Sequence, residues 1–175
     1  TVPWAVEASY RDLVATFEHQ DWELAVISAA DLGHYVADSH NPMHLTLNYN
    51  GQLTGQYGIH SRHESEMTGR HLAELEPAPG TVTLIADPLE AAFDWINEVY
   101  LGVDLILAAD LVATAAAGGS TSSTTYFNRL WLEVGEETQF WVRDASLTLA
   151  SLWYSAWVEA GSPPLPGDAT DAIPG

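Results

Sequence analysis

The sequence predicts an all-α fold. Apolar residues recur at helical spacing through nearly the whole chain. Helix punctuation is explicit at Asp21, ahead of WELAVISAADLGHYVAD, and at Asp87-Pro88-Leu89-Glu90: Asp as cap, Pro at the first helical position, Glu three after the cap. The long interruption, residues 45–59 (LTLNYNGQLTGQYGI), is polar and glycine-bearing and reads as a loop.

Taken in order, a first helix is expected from about Val6 to Glu18. A second begins at the Asp21 cap and ends at Asn41-Pro42, because proline pushes the residue before it out of the α region. The loop follows, and a third helix fits about His60 to Leu75 before PAPG at 77–80 breaks the chain. Asp87 then opens a helix expected to reach about Ala116. AAAGGSTSS forms a linker whose Ser or Thr caps a last long helix. Its apolar positions are Phe127, Leu130, Trp131, Val134, Trp141, Ala145, Leu152 and Ala156. Residues 99–117 resemble a membrane segment in composition, but Asp104 and Asp110 interrupt them and would be costly in a bilayer centre. A buried core helix is expected there. The tail GSPPLPGDATDAIPG, residues 161–175, is too rich in Pro and Gly to pack and is expected to fray.

A chain of 175 residues, 47% hydrophobic, can bury a substantial core. Its 24 acidic side chains face five arginines and no lysine, for a formal charge of −19. Such a surface repels polyanions and argues against binding a phosphate backbone through a basic patch. Any phosphate chemistry therefore needs a metal ion to supply positive charge. The absence of cysteine removes disulfides, thiolate catalysis and cysteine-type zinc sites, so a metal must be held by His and carboxylates. TVPWAVEASY has neither the basic start nor the apolar run of a signal peptide.

Five of the seven histidines fall within HYVADSHNPMH (34–44) and HSRHE (60–64). His34 and Asp38 are four apart on a helix and share a face, and His60 and Glu64 repeat that spacing. His44 follows the helix-ending Pro42, where the chain can fold back on itself. A metal bridging the ends of the loop would clip it shut, and loops of this length are often functional. Two His and one carboxylate with an open fourth position is a catalytic zinc pattern, and His44, His60 and Glu64 supply that set. Of the remaining histidines, His40 is expected at the solvent, with a supporting or substrate contact beside the site as the alternative, His63 to pack or face solvent, and His71 lies too far along its helix to join His60.

HYVADSHNPMH followed by HSRHE resembles the metal-binding core of the zinc-dependent phospholipase C and single-strand nuclease superfamily. The likeness is clear over about residues 22–75, and LASLWYSAWVEAG weakly resembles the family's closing helix. It implies a three-zinc site in which His34 binds the first zinc and Asp38 bridges the first and third, which makes Asp38 the catalytic carboxylate. His44, His60 and Glu64 bind the second. The implied reaction is hydrolysis of a phosphoric ester by metal-activated water. Glu at position 64 leans toward the phospholipase C branch, with a single-strand nuclease or 3′-nucleotidase as the alternative. A non-catalytic, zinc-stabilised helical module is the reading from another class.

The family's amino-terminal Trp and further His and Asp ligands have no counterpart here, since His19 is the only histidine before His34 and Trp4 is internal. The resemblance therefore implies a partial helical metal-binding domain over residues 1–160 with a tail at 161–175, one complete zinc site, and an N-terminal segment supplied elsewhere, such as by a separate chain. The implied location is secreted or periplasmic. The implied partner is a phosphodiester, either phospholipid or single-stranded nucleic acid.

Overall fold

The computed structural model describes residues 2–75 and 80–167, and among these residues the structure is helical with no strand. Of the PAPG break only Gly80 is among them, and of the tail only residues 161–167. α1 (Val2–Glu18) and α2 (Trp22–Ser39) form an antiparallel hairpin. The turn places Gln20 at φ 53, and the Asp21 side chain accepts a bond from the Leu24 amide, as its capping role requires. α1 begins four residues before the expected start.

After α2, Asn41 leads into a short 3₁₀ turn, Pro42–His44, capped by its own side chain, which accepts from the Met43 amide. The loop follows. The expected third helix is instead composite: α3 (Ile59–Ser61), a π-helical turn (Arg62–Met67), α4 (Thr68–Arg70) and a 3₁₀ turn (Leu72–Glu74). The wide turn lets two successive residues, Arg62 and His63, both turn inward, which an ordinary α-helix would not favour.

The expected helix from Asp87 to about Ala116 divides into α5 (Pro88–Tyr100) and α6 (Gly102–Ala116). Asp87 caps α5 by accepting from the Glu90 amide. The division falls where the chain crosses α7: a Cβ on Gly102 would lie 2.3 Å from Trp141 Cζ2 and 2.7 Å from Pro42 Cγ. α6 is half-buried rather than enclosed. Val103, Ile106, Ala109 and Ala113 face the core, while Leu101 and Leu111 remain exposed. Together Pro88–Ala116 would be long and apolar enough to cross a membrane by length and composition alone.

α7 (Thr124–Glu159) is 36 residues long, about 54 Å at 1.5 Å per residue, and organises the rest. Ser123 caps it by accepting from the Tyr126 amide. Two apolar cores lie along its length. Phe127, Leu130, Val134 and Trp141 pack with α6, Met43, Ile59 and Met67. Leu152 and Ala156 pack with α1, α2 and Trp95 of α5. The 3₁₀ turn and the π turn belong to the first core and α2 to the second, so the histidine cluster sits at their seam. In the first part of the tail, Trp157 Nε1 donates to Pro163 O at 2.8 Å, which ties this stretch to α7.

Candidate metal centre

The loop brings its two ends together. His44 Nε2 lies 3.0 Å from His60 Nε2, and Glu64 Oε2 lies 3.1 Å from the first and 2.6 Å from the second. These three residues form a group whose donor atoms could share one metal ion. The Asn41 amide donates to the same Glu64 oxygen at 2.9 Å. The edge of the His60 ring meets Tyr49, centroids 6.2 Å apart.

The chemistry of the donor set fits a cation. Asp38 Oδ1 lies 3.2 Å from His44 Nδ1 and favours a proton on that nitrogen. His44 Nε2 faces the Glu64 carboxylate and the His60 nitrogen, three potential acceptors crowded together. Lone pairs at such distances repel unless a proton or metal sits among them. Around a tetrahedral zinc with bonds of about 2.0–2.2 Å, ligand atoms stand roughly 3.3–3.6 Å apart, so a bound ion would spread the three atoms by a few tenths of an ångström, and His60 and Glu64 by more. Burial opposes ionisation of Glu64, but the bonds from His44 and His60 outweigh it and hold its carboxyl below the usual range.

Of the five residues singled out by sequence, three converge at this point. Asp38 is adjacent, reaching the far nitrogen of His44. His34 stands one step further away, its Nε2 3.5 Å from the other Asp38 oxygen and its side chain largely in solvent.

Both inner histidines are buried, His63 by the packing that was one of its two expected outcomes. His40 is only 3% exposed, which corrects the expectation that it faces solvent. Its Nδ1 lies 2.7 Å from Val36 O, an acceptor only, so Nδ1 donates; the ring stacks on Trp95. Its Nε2 is 3.4 Å from Asp144 Oδ2 across to α7. His63 is buried, and burial pushes its pKa down to about 4. The Thr138 hydroxyl donates to Val134 O, so His63 Nε2 donates to the Thr138 oxygen at 3.1 Å. Both histidines line a cavity of about 290 Å³ that also reaches Asp38, Glu64 and Trp141, directly beside the donor triad.

The loop's second anchor had no sequence signal of its own. Arg62 Nη2 donates to Asp110 Oδ1 at 2.7 Å, and Arg62 Nε donates to Tyr126 Oη at 2.8 Å. The Tyr126 hydroxyl donates to the same Asp110 oxygen. Gln56 Nε2 donates to Asp110 Oδ2 and to Leu107 O, and Arg62 Nη1 donates to Tyr57 O. Burial and the neighbouring Asp110 raise the Tyr126 phenol well above its ordinary range. This network pins the end of the loop to α6 and α7 and thereby fixes His60, two residues before Arg62. Asp104 and Asp110 alike read as interruptions in an apolar run, whereas only Asp110 has this buried role.

Comparison with protein-family models, curated proteins and solved structures finds no match for this chain.

Proposed function

We propose that the chain is a metal-dependent hydrolase of phosphoric esters, phospholipase C-like in its substrate, with zinc held by His44, His60 and Glu64. The observation that carries this reading is the convergence of two imidazole nitrogens and one carboxylate oxygen within 3.1 Å of one another, beside an open cavity. Zinc in such a site supplies Lewis acidity to a phosphoryl oxygen and to an attacking water.

The chain's own residues do the rest. Asp38 orients His44 through Nδ1, and Asn41 orients Glu64 through its amide. Asp38 and Glu64 line the cavity in which an ester would lie, with Asp38 available to hold a proton there. Trp141 forms an apolar wall. A formal charge of −19 disfavours a polyanionic nucleic acid and favours a phospholipid as the ester. A secreted or periplasmic location and a further ligand-bearing segment accompany this reading.

The test is zinc binding by the whole chain, followed by hydrolysis assays with phosphatidylcholine and with denatured DNA. Expected is one tightly bound zinc, with poor catalysis by this chain alone and any cleavage favouring the lipid over the DNA. Zinc that raises stability while both esters stay intact, in any longer form of the protein as well, would leave a structural zinc module instead.

A further inference from the structure

We propose that the loop of residues 45–59 is a membrane-contacting surface that seats the metal centre against a zwitterionic lipid bilayer. The inference deepens the reading of the site as a phosphoric-ester centre and rests on it.

The loop's composition is set apart from the rest of the chain. All 15 of its residues are uncharged, in a protein with 24 acidic side chains. Within it four large side chains face solvent: Leu47 at 88%, Leu53 at 72%, Tyr57 at 68% and Tyr49 at 53%. Leucine and tyrosine are the residue types that partition into the interfacial region of a bilayer, the first by area and the second as an apolar ring with a wet hydroxyl. On α6 the exposed Leu111 lines a recess with Tyr57 whose other walls are polar, Gln56, Arg62 and Asp110 among them.

The loop has also met its own polar requirements. Asn48 Oδ1 accepts from the Leu53 amide, Asn50 Oδ1 from the Gly58 amide, and Gln52 Oε1 from the Asn50 amide. Gln52 Nε2 donates to Leu47 O, and Asn48 Nδ2 donates to Thr54 Oγ1. The three amides just named thus carry their partners with them, which lowers the cost of leaving water. Gly51, at φ 71 with no room for a Cβ beside the Gln56 carbonyl, holds the loop's tight turn. The Arg62–Asp110 pair ties the end of the loop to α6.

Charge chooses the occupant. A loop with no charged side chain, on a strongly acidic protein, is repelled by anionic lipid and offers no ion pair to a charged protein partner. An uncharged or zwitterionic lipid surface presents neither objection. Position supplies the purpose: His44 immediately precedes the loop, His60 immediately follows it, and Tyr49 touches the His60 ring. A bilayer engaged by the loop would lie next to the cavity mouth, where a lipid ester could enter.

The experiment is co-sedimentation of the full chain with phosphatidylcholine vesicles and with phosphatidylserine vesicles, for the wild type and for L47S/L53S. Expected is binding to phosphatidylcholine in preference to phosphatidylserine, weakened about 100-fold in the double variant, roughly tenfold per leucine. Both leucines are exposed, so the double variant should keep its melting temperature and its zinc affinity, which are measured alongside. No binding to phosphatidylcholine, preference for phosphatidylserine, or unchanged binding by L47S/L53S would overturn the proposal. So would a self-association that this double variant abolishes, because the surface would then belong to a second copy. The two readings fail separately. Vesicle binding without ester cleavage counts against the hydrolase, whereas cleavage of a short soluble phosphodiester without vesicle binding counts against the loop.

Discussion

Asp38 Oδ1 lies 3.2 Å from His44 Nδ1, on the side of the ring away from the Nε2 that meets His60 and Glu64. A carboxylate in that position fixes the tautomer and orientation of a metal-binding imidazole. Asp38→Ala is expected to weaken zinc binding by about 10- to 100-fold. Asp38→Asn should lose less, since its amide oxygen still accepts from Nδ1. Competition against a chelating dye reads both. Equal losses in the two variants would instead indicate that Asp38 is a metal ligand itself, as the family resemblance implies.

Zinc should stabilise the fold in proportion to its occupancy. At a free concentration one hundred times its Kd it adds about 2.7 kcal/mol. For a chain of this size that corresponds to a rise in Tm of roughly 5–10 °C. Glu64→Gln should remove most of the rise while leaving the zinc-free Tm close to wild type, because Glu64 is exposed. Thermal melts with zinc and with a chelator measure the difference.

Asp110 is the buried counter-charge of Arg62 and the acceptor of the Tyr126 hydroxyl. Asp110→Ala strands a guanidinium in the core and is expected to cost about 3–5 kcal/mol. Zinc affinity should fall as well, because the loop that carries His44 and His60 at its ends loses its anchor. Denaturant unfolding measures the first effect, and amide exchange over residues 45–59 reports the second.

Stability should decline on the acid side in a way traceable to His63. Its folded pKa, about 4, lies below the ordinary value of 6.5 because burial disfavours the charged ring. The unfolded chain therefore takes up a proton first as pH falls. The contribution is fully present above about pH 6.5 and is lost between there and about pH 4, amounting to about 3 kcal/mol. In His63→Phe this part of the decline should vanish, as measured by unfolding free energies at pH 7.5, 6, 5 and 4.5. A slope unchanged by the substitution would place the titration elsewhere.

Local rules accounted for much of the architecture. Asp21 and Asp87 cap the helices they were expected to cap, and the linker residue that caps the last helix is Ser123, since a side-chain oxygen three residues before a free amide acts within a single turn. The convergence of His44, His60 and Glu64 was legible from spacing and from the proline that turns the chain back. The missed features depend on contacts distant in sequence. Gly102, at the junction of α5 and α6, leaves room for Trp141, 39 positions later, and no property of residues 99–105 announces that contact. His40 is buried because Trp95 covers it and Asp144 on α7 lies across from it. Arg62 reads as a surface residue in HSRHE until Asp110 and Tyr126 are placed beside it.

The π-helical turn at Arg62–Met67 has a genetic consequence. A widened turn is equivalent to one residue inserted into an α-helix, so deleting a single residue from it can restore ordinary winding. Removing Ser65, which follows Glu64, would leave the four-residue interval between His60 and Glu64 untouched. The turn would then wind as ordinary α-helix, and the residues downstream, Met67 included, would keep their phase against the first core. Removing Arg62 or His63 would absorb the widened turn in the same way but would shorten the interval between His60 and Glu64. Codon deletions on the two sides of Glu64 would thus change that interval in one case and spare it in the other, within a turn of six residues.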